Sequence, residues 1–426
     1  MRASSPAISP RFLGYFICSL ASLFYVYDFI IRIIPGTIAD TLMVHYQIGA
    51  AGLGLLSSFF FLGYMLMQVP CGLLYDRFGP RRLLSCTTFI AAVATYFFIA
   101  TPYFWLASVA RLGMGLGSAF AYIGALVLAS RWLPARHYAL VAGLIQLLGS
   151  LGAIMGEEPL ARLTAYFGAY AVIKIVAIVG IVLALIFWLL IQDYPPGTAA
   201  QWQQPSGESH EWRRLQHVLA NKQNWAVAFY GFTIWAPIAI FASLWAVPFL
   251  TTLYNISTVE AAGLASFLWL GVGLGGPILG WYSNHIGLRR LPLLIAAGIG
   301  LISSLCILYL PQIPISFMAL LLFFYGTASS AQAVTFGLVQ DNNVAQHTGT
   351  ASGFNNMAIV LGGVLFQPLV GLFLKWHWQG KIIDATHVYT ITDFRFALLV
   401  IPICFILSLL VANLFINETY CQPMRA

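Results

Sequence analysis

The chain has 426 residues, 60% of them hydrophobic and only 8% charged, with a formal net charge of +7 and a mean hydropathy of +0.85. Soluble domains carry about 25% charged residues, so this composition excludes a water-soluble globule. The surplus cations are scattered over short segments without the aromatic-interleaved basic patch a nucleic-acid partner would need. The six cysteines and eight histidines show no metal-like spacing and no nucleophile motif, so neither a metal, a cofactor nor an enzyme is expected.

Runs of about 20 apolar residues, the length that crosses a bilayer, recur from end to end and predict an all-α membrane protein. Twelve transmembrane helices are expected near residues 12–40, 51–74, 82–101, 104–132, 138–160, 168–192, 223–250, 260–283, 290–310, 314–340, 348–374 and 394–417. The first run is longer than a signal-peptide core and has no convincing cleavage site, so it reads as helix 1. Within it, Tyr25, Asp28 and Arg32 share one helical face at i, i+3 and i+7. A charge at the bilayer centre costs about 2.5–3.5 kcal/mol on insertion scales, so both charges are expected to face a wet cavity between helices, where they would serve a substrate and a proton.

Farther on, Arg111 in helix 4 needs a carboxylate or carbonyl partner, with Glu157 or Asp28 the candidates. Asp28, Glu157 and Glu158, carboxylates within or at the ends of the first six helices, form with Arg111 the expected proton-coupling set. Gly115, Gly117, Gly143, Gly149, Gly152 and Gly156 form small-residue faces that let helices approach closely. The polar stretch 193–222, opening with Pro195-Pro196-Gly197, divides the chain into bundles 1–192 and 223–426 joined by a cytoplasmic linker. In the second bundle Gln332, Asn355 and Asn356, with Gln146 in the first, are mid-span amides able to hydrogen-bond a substrate. Tyr27, Tyr122, Trp235, Trp269 and Tyr325 supply aromatic walls.

The halves repeat. Shifted by 208 residues, Gly72, Asp76, Gly79, Arg81 and Arg82 fall on Gly280, Asn284, Gly287, Arg289 and Arg290. Shifted by 210, His137, Gly143, Gln146, Gly152 and Glu157 fall on His347, Gly353, Asn356, Gly362 and Gln367. A parallel repeat of this kind places its substrate between the halves near the midplane. Of the 20 Lys and Arg residues, 13 fall in segments that alternate to one side with the N-terminus, so the positive-inside rule puts both termini in the cytoplasm.

Gly72-Leu-Leu-Tyr-Asp76-Arg77-Phe-Gly79-Pro-Arg81-Arg82, between helices 2 and 3, resembles the signature loop of the major facilitator superfamily. Arg111-Leu-Gly-Met-Gly115-Leu-Gly117-Ser-Ala119 resembles its second motif. The resemblance implies an alternating-access secondary transporter in a bacterial inner membrane, with a small-molecule substrate, protons as the coupling ion and an arginine in helix 4 tied to proton coupling. It also implies a cytoplasmic gate in which Asp76 meets the N-terminal end of helix 11 near Thr348 and the guanidinium of Arg77 or Arg131. Arg81 anchors the topology, and Asn284 replaces the aspartate in the second half.

The pattern Tyr25-x-Tyr27-Asp28-x-x-x-Arg32-x-x-Pro35 is similar to nutrient-uptake members that move amino acids or nucleosides, and to the lysosomal dipeptide branch. A zwitterion would then place its carboxylate on Arg32 and its ammonium on Asp28. Arg32 also stands where organic-anion members keep a substrate arginine. The Gly-Pro motif of drug exporters is missing from helix 5, which weighs against a drug or siderophore exporter. A receptor without flux is a further alternative.

Overall fold

The structure, a computed structural model, describes residues 10–133, 138–196, 209–311, 313–344, 347–380, 382–383 and 386–422. Among these, eleven helices are long and apolar enough to cross a membrane. Helix 1 is Pro10–Thr37, helix 2 Ala50–Phe78 and helix 3 Pro80–Ala100. Helix 4 is Phe104–Trp132 and helix 6 Ala169–Leu190. Helix 5 runs Tyr138–Gly156, breaks, and continues as Glu158–Phe167, completing twelve. The break follows from Gly156, a poor helix former, and Pro159, which lacks the amide that would bond the Met155 carbonyl.

In the second half helix 7 is Lys222–Tyr254, helix 8 Thr258–Ile286, helix 9 Arg290–Tyr309, helix 10 Ile315–Asp341, helix 11 Thr348–His377 and helix 12 Ile391–Leu414. Pro237 lies in helix 7 just before a wide turn at Phe241–Trp245. The interhelical stretch is not wholly irregular: Ser209–Ala220 forms a helix. Ser, His, Glu, Arg and Gln make up seven of its twelve residues, which hides it from a hydropathy reading.

The repeat is visible in the packing. A Cβ at Gly63 would strike the Leu112 carbonyl and one at Gly115 the Phe60 carbonyl, where helices 2 and 4 cross. In the second half Gly271 meets the Phe323 carbonyl and Gly326 the Leu268 carbonyl, where helices 8 and 10 cross. Both crossings are backbone to backbone, which any larger residue would separate.

The seam between the halves is closed on one side only. We call the face bearing Arg77, Arg81 and Arg82 inner, following the positive-inside count. Toward the outer face, Gly54 and Gly371 bring helices 2 and 11 together at the Gln367 and Ala50 backbones, and Gly36 brings helix 1 against Leu244 of helix 7. Ala50 also donates its amide to the Tyr389 hydroxyl, 2.9 Å away in the other half. Asn356 hydrogen-bonds Gln68 across the seam. Inward of that pair, a Cβ at Gly72, Gly143, Gly280 or Gly349 would meet nothing within 4 Å. Among the described residues the halves therefore touch on the outer side and part on the inner.

Overpacking a tight crossing costs about 1–3 kcal/mol. Gly371→Val is accordingly expected to wedge the outer seam open, raising the labelling rate of a cysteine placed at Thr251 by an impermeant thiol reagent about tenfold.

Candidate functional site

Asp28 and Arg32 lie one turn apart on helix 1, the spacing and order that favour an intrahelical ion pair. Arg32 Nη2 donates to Asp28 Oδ2 at 2.7 Å. Asp28 is fully buried and Arg32 is 6% exposed. The guanidinium sits 4.3 Å from the Phe29 ring centre, 5.0 Å from Tyr64 and 5.4 Å from Phe60, an aromatic cage that suits a weakly hydrated cation. Among the described residues Arg32 Nε, although buried, finds no acceptor, with the Tyr64 hydroxyl beside the guanidinium, and Asp28 Oδ1 makes no full hydrogen bond, with the Ser118 hydroxyl beside it. Buried donors are normally satisfied, so this guanidinium has capacity to spare.

Around the pair, the Tyr25 hydroxyl donates to Gln146 Oε1 at 3.2 Å, and the Tyr25 ring lies 5.1 Å from Tyr122 and 5.0 Å from Phe29. Phe29 meets Trp269 of the second half edge-on at 5.6 Å. Helix 5 can approach this closely because Gly149 lies against the Tyr25 ring and Gly152 against the Val26 backbone. Gln68 and Asn356 join the halves on the inner side of the cage. Tyr25, Arg32, Tyr122, Gln146, Trp269 and Asn356 thus gather where helices 1, 5, 8 and 11 converge. Tyr64 and Gln68, four residues apart on helix 2, belong with them and were not singled out from the sequence. Two polar side chains at helical spacing inside a span were the available signal.

Several expected members lie elsewhere. Asp28 is sealed rather than wetted, because Arg32 and Ser118 cover it. Tyr27 turns to the opposite face of helix 1, where Gly180 of helix 6 receives its ring. Tyr325 is buried inside the second half, donating to the Pro237 carbonyl at 2.8 Å, and Asn355 donates to Thr335 Oγ1 at 2.8 Å. Both hold helices of one bundle together. Trp235 is 6% exposed within helix 7, and Gln332 is half-buried where the inner piece of helix 10 begins. Glu158 faces outward and pairs with Arg162 at 2.5 Å with a third of its side chain exposed, which places it outside any proton path through the bundle.

Arg111 finds neither Asp28 nor Glu157 as its partner. Its Nη1 donates to the Ile31 carbonyl and its Nη2 to the Arg32 carbonyl, both at 2.6 Å. The reason is Pro35. Ile31 O would accept the amide of residue 35 in a regular helix, and proline has none. Arg111 supplies the missing donor, and the Phe60 ring 4.7 Å away covers its other face.

The gate residues also pair within their own halves. The Asp76 side chain lies outside the described residues. Arg77 is exposed and stacks on Phe78, while Arg131 lies 4.6 Å from the Tyr194 ring centre. Arg81 is more than a topology anchor: its amide donates to Asp193 Oδ1 at 2.7 Å and its Nε to the Trp188 carbonyl at 2.7 Å. Asn284 accepts from Arg289, which also holds Asp341 at 2.9 Å. Glu418 accepts the Arg289 and Arg290 amides at 2.8 and 2.9 Å. A carboxylate following the sixth helix of each half thus caps the third helix of that half, a favourable meeting with the positive helix end.

Comparison with known proteins agrees with this arrangement. The chain is 24% identical over 369 residues to a gentisate transporter of Corynebacterium glutamicum, covering 83% of this chain and 80% of that one. It is 23% identical over 390 residues to a probable L-galactonate transporter of Escherichia coli, covering 84% and 80%. In fold it superposes on a bacterial homolog of the human lysosomal transporter Spinster, in an inward-facing and unoccupied conformation, with a TM-score of 0.71 at 17% identity over 96% of this chain and 98% of that one. The model of the Major Facilitator Superfamily matches residues 12–367, and with twelve helices in two repeated halves around a buried charge pair, the chain belongs to that superfamily of membrane transporters and is not an enzyme.

Proposed function

We propose that this transporter takes up a small organic carboxylate together with a proton across a bacterial inner membrane, its termini in the cytoplasm. The observation that carries the reading is the half-used guanidinium of Arg32, bonded to Asp28 through one nitrogen while Nε has no acceptor. A carboxylate is the ligand that fits such an edge, because paired N–H donors match its two oxygens. The gentisate and galactonate named for the two relatives are both carboxylates.

Charge supplies the coupling. Empty, the Asp28 carboxylate and Arg32 guanidinium carry no net charge as a pair, and the neighbouring Arg111 cation, held on the Ile31 and Arg32 carbonyls, is common to every loading state, so the count is of the pair alone. A substrate anion alone would leave one uncompensated negative charge in the closed seam, and a proton alone one positive charge. Unpaired charges in such surroundings cost several kcal/mol. With both aboard, Asp28 is a neutral acid, Arg32 holds the substrate carboxylate, and the site is again neutral. The two half-loaded carriers are therefore slow to close, and the empty and fully loaded ones close readily.

An amino acid would need an accessible carboxylate for its ammonium. Asp28 is fully buried behind Arg32, so the monoanion is favoured over the zwitterion. Melting-point screening of the purified protein identifies ligands first, since a compound that binds the folded state raises the midpoint. Uptake into proteoliposomes with an acidic exterior then decides. Labelled gentisate or galactonate is expected to accumulate and to stop when the gradient is collapsed. Accumulation of amino acids with exclusion of carboxylates, or uptake indifferent to the gradient, would overturn the reading.

A further inference from the structure

Glu157 occupies the break in helix 5 on the closed, outer side of the seam. Its side chain is 1% exposed. Oε1 accepts from Trp269 Nε1 of the other half at 3.4 Å, and Oε2 has no partner. Among the described residues no Lys, Arg or His nitrogen lies within 4.0 Å of either oxygen.

Of the charged groups on the neighbouring elements, Asp40, just beyond helix 1, faces the outer vestibule, and the others are engaged or distant. On helix 1, Asp28 and Arg32 hold each other farther in. On the outer piece of helix 5, Glu158 and Arg162 pair toward the outside. On helix 8, Glu260 caps Ser257 at the outer end. The Ile240–Val247 stretch of helix 7 carries no titratable side chain. A carboxylate with no cation and one weak donor is unsuited to a dry contact, whereas the neutral acid fits it.

Just outside lies a vestibule of about 350 Å³ between the halves, lined by Thr37, Asp40, Thr164 and Thr251 among others. Its floor touches the break directly: Thr37 Oγ1 donates to the Gly156 carbonyl at 2.8 Å. Opening the outer seam would withdraw Trp269 from Glu157 and join the carboxyl to this polar space.

We propose that Glu157 is a proton-binding site filled by closure of the outer seam. One proton from the vestibule converts the carboxylate to the acid as the seam shuts, and the same proton returns outward when it opens. This proton is separate from the one carried on Asp28 in the uptake reading. It makes the resting conformation respond to external pH: acid closes the outer face and alkali opens it. Closing binds one proton more than opening, so over the range where the two states differ in protonation, the open-to-closed ratio rises tenfold per pH unit.

The test needs neither substrate nor gradient, so it stands or falls apart from carboxylate uptake. Spin labels on Tyr166→Cys and Thr252→Cys, exposed positions beside the vestibule lining, report the outer opening of the full chain in nanodiscs. Cys86, Cys306 and Cys421 are replaced by serine. Between pH 5 and 9 the short, closed distance is expected to give way to a long one with a slope of about one proton. Glu157→Gln keeps the Trp269 acceptor but cannot ionise, so it is expected to hold the closed distance at every pH. Trp269→Phe removes the donor from the closed state and is expected to raise the open fraction at each pH while keeping the slope. A glutamine variant that retains the wild-type slope, or a wild-type protein whose distances ignore pH, overturns the proposal.

Discussion

Arg32→Ala is expected to abolish carboxylate accumulation, lowering initial uptake by about a hundredfold or more, and to destabilise the protein at the same time. Two separable losses follow from one side chain. The substrate loses its charge-assisted donor, and Asp28 loses the cation that makes its burial tolerable. Removing one partner of a buried pair costs about 3–5 kcal/mol, chiefly because the other charge is stranded. Adding Asp28→Asn removes the stranded charge, so the double variant should recover most of the melting temperature and none of the uptake. Arg32→Lys tests the geometry: an ammonium keeps the charge but loses the planar fork that holds Asp28 with one nitrogen and offers another. Its uptake should fall well below wild type with little change in stability. Uptake surviving in Arg32→Ala would remove Arg32 from the substrate site.

The second large effect concerns Arg111. As the donor to the carbonyl that Pro35 leaves unserved, it acts on the backbone of helix 1 rather than on a proton. Arg111→Ala should strand Ile31 O, a buried polar group whose loss of partner costs about 1–3 kcal/mol, with more lost from the ring contacts. Pro35→Ala restores the intrahelical donor. In a double-mutant cycle the two changes should be less harmful together than their sum, by about 1–2 kcal/mol, measured as unfolding in mild detergent. Additive effects would point to a different partner for Arg111. A proton-transfer role predicts instead that Arg111→Lys retains pH-driven uptake, whereas a bridge to two carbonyls from a fixed fork should not survive that exchange.

Much of the architecture was legible because membrane spans and small-residue crossings are written in runs and periods. The Asp28 and Arg32 pairing could be read from their spacing, as could the repeat, whose shift of 208 residues also sets Gly63 on Gly271, the glycines of the two matching crossings. What the letters did not carry were partners without a letter. A backbone carbonyl leaves no mark in a sequence, so Arg111 looked like a residue in search of an acid, although a proline four residues after Ile31 pointed to the vacancy. Tyr25 and Tyr27 are equally aromatic, but two apart on a helix they point to opposite faces, so that one reaches the site while the other fills the space at Gly180. Glu157 by length alone could reach the outer surface; the break at Gly156 turns it inward against Trp269. The side on which the halves meet is set by contacts between residues far apart in the chain, such as Gly371 against Ala50, which a linear pattern does not show.

The carboxylate caps at Asp193 and Glu418 bear on how the molecule can be handled. Glu418 sits only eight positions before Ala426, yet it fastens two amides of helix 9. Trimming the tail to Asn417 for crystallisation would unbuckle the second bundle at its rim, whereas extending the chain beyond Ala426 with an affinity handle leaves that clasp in place.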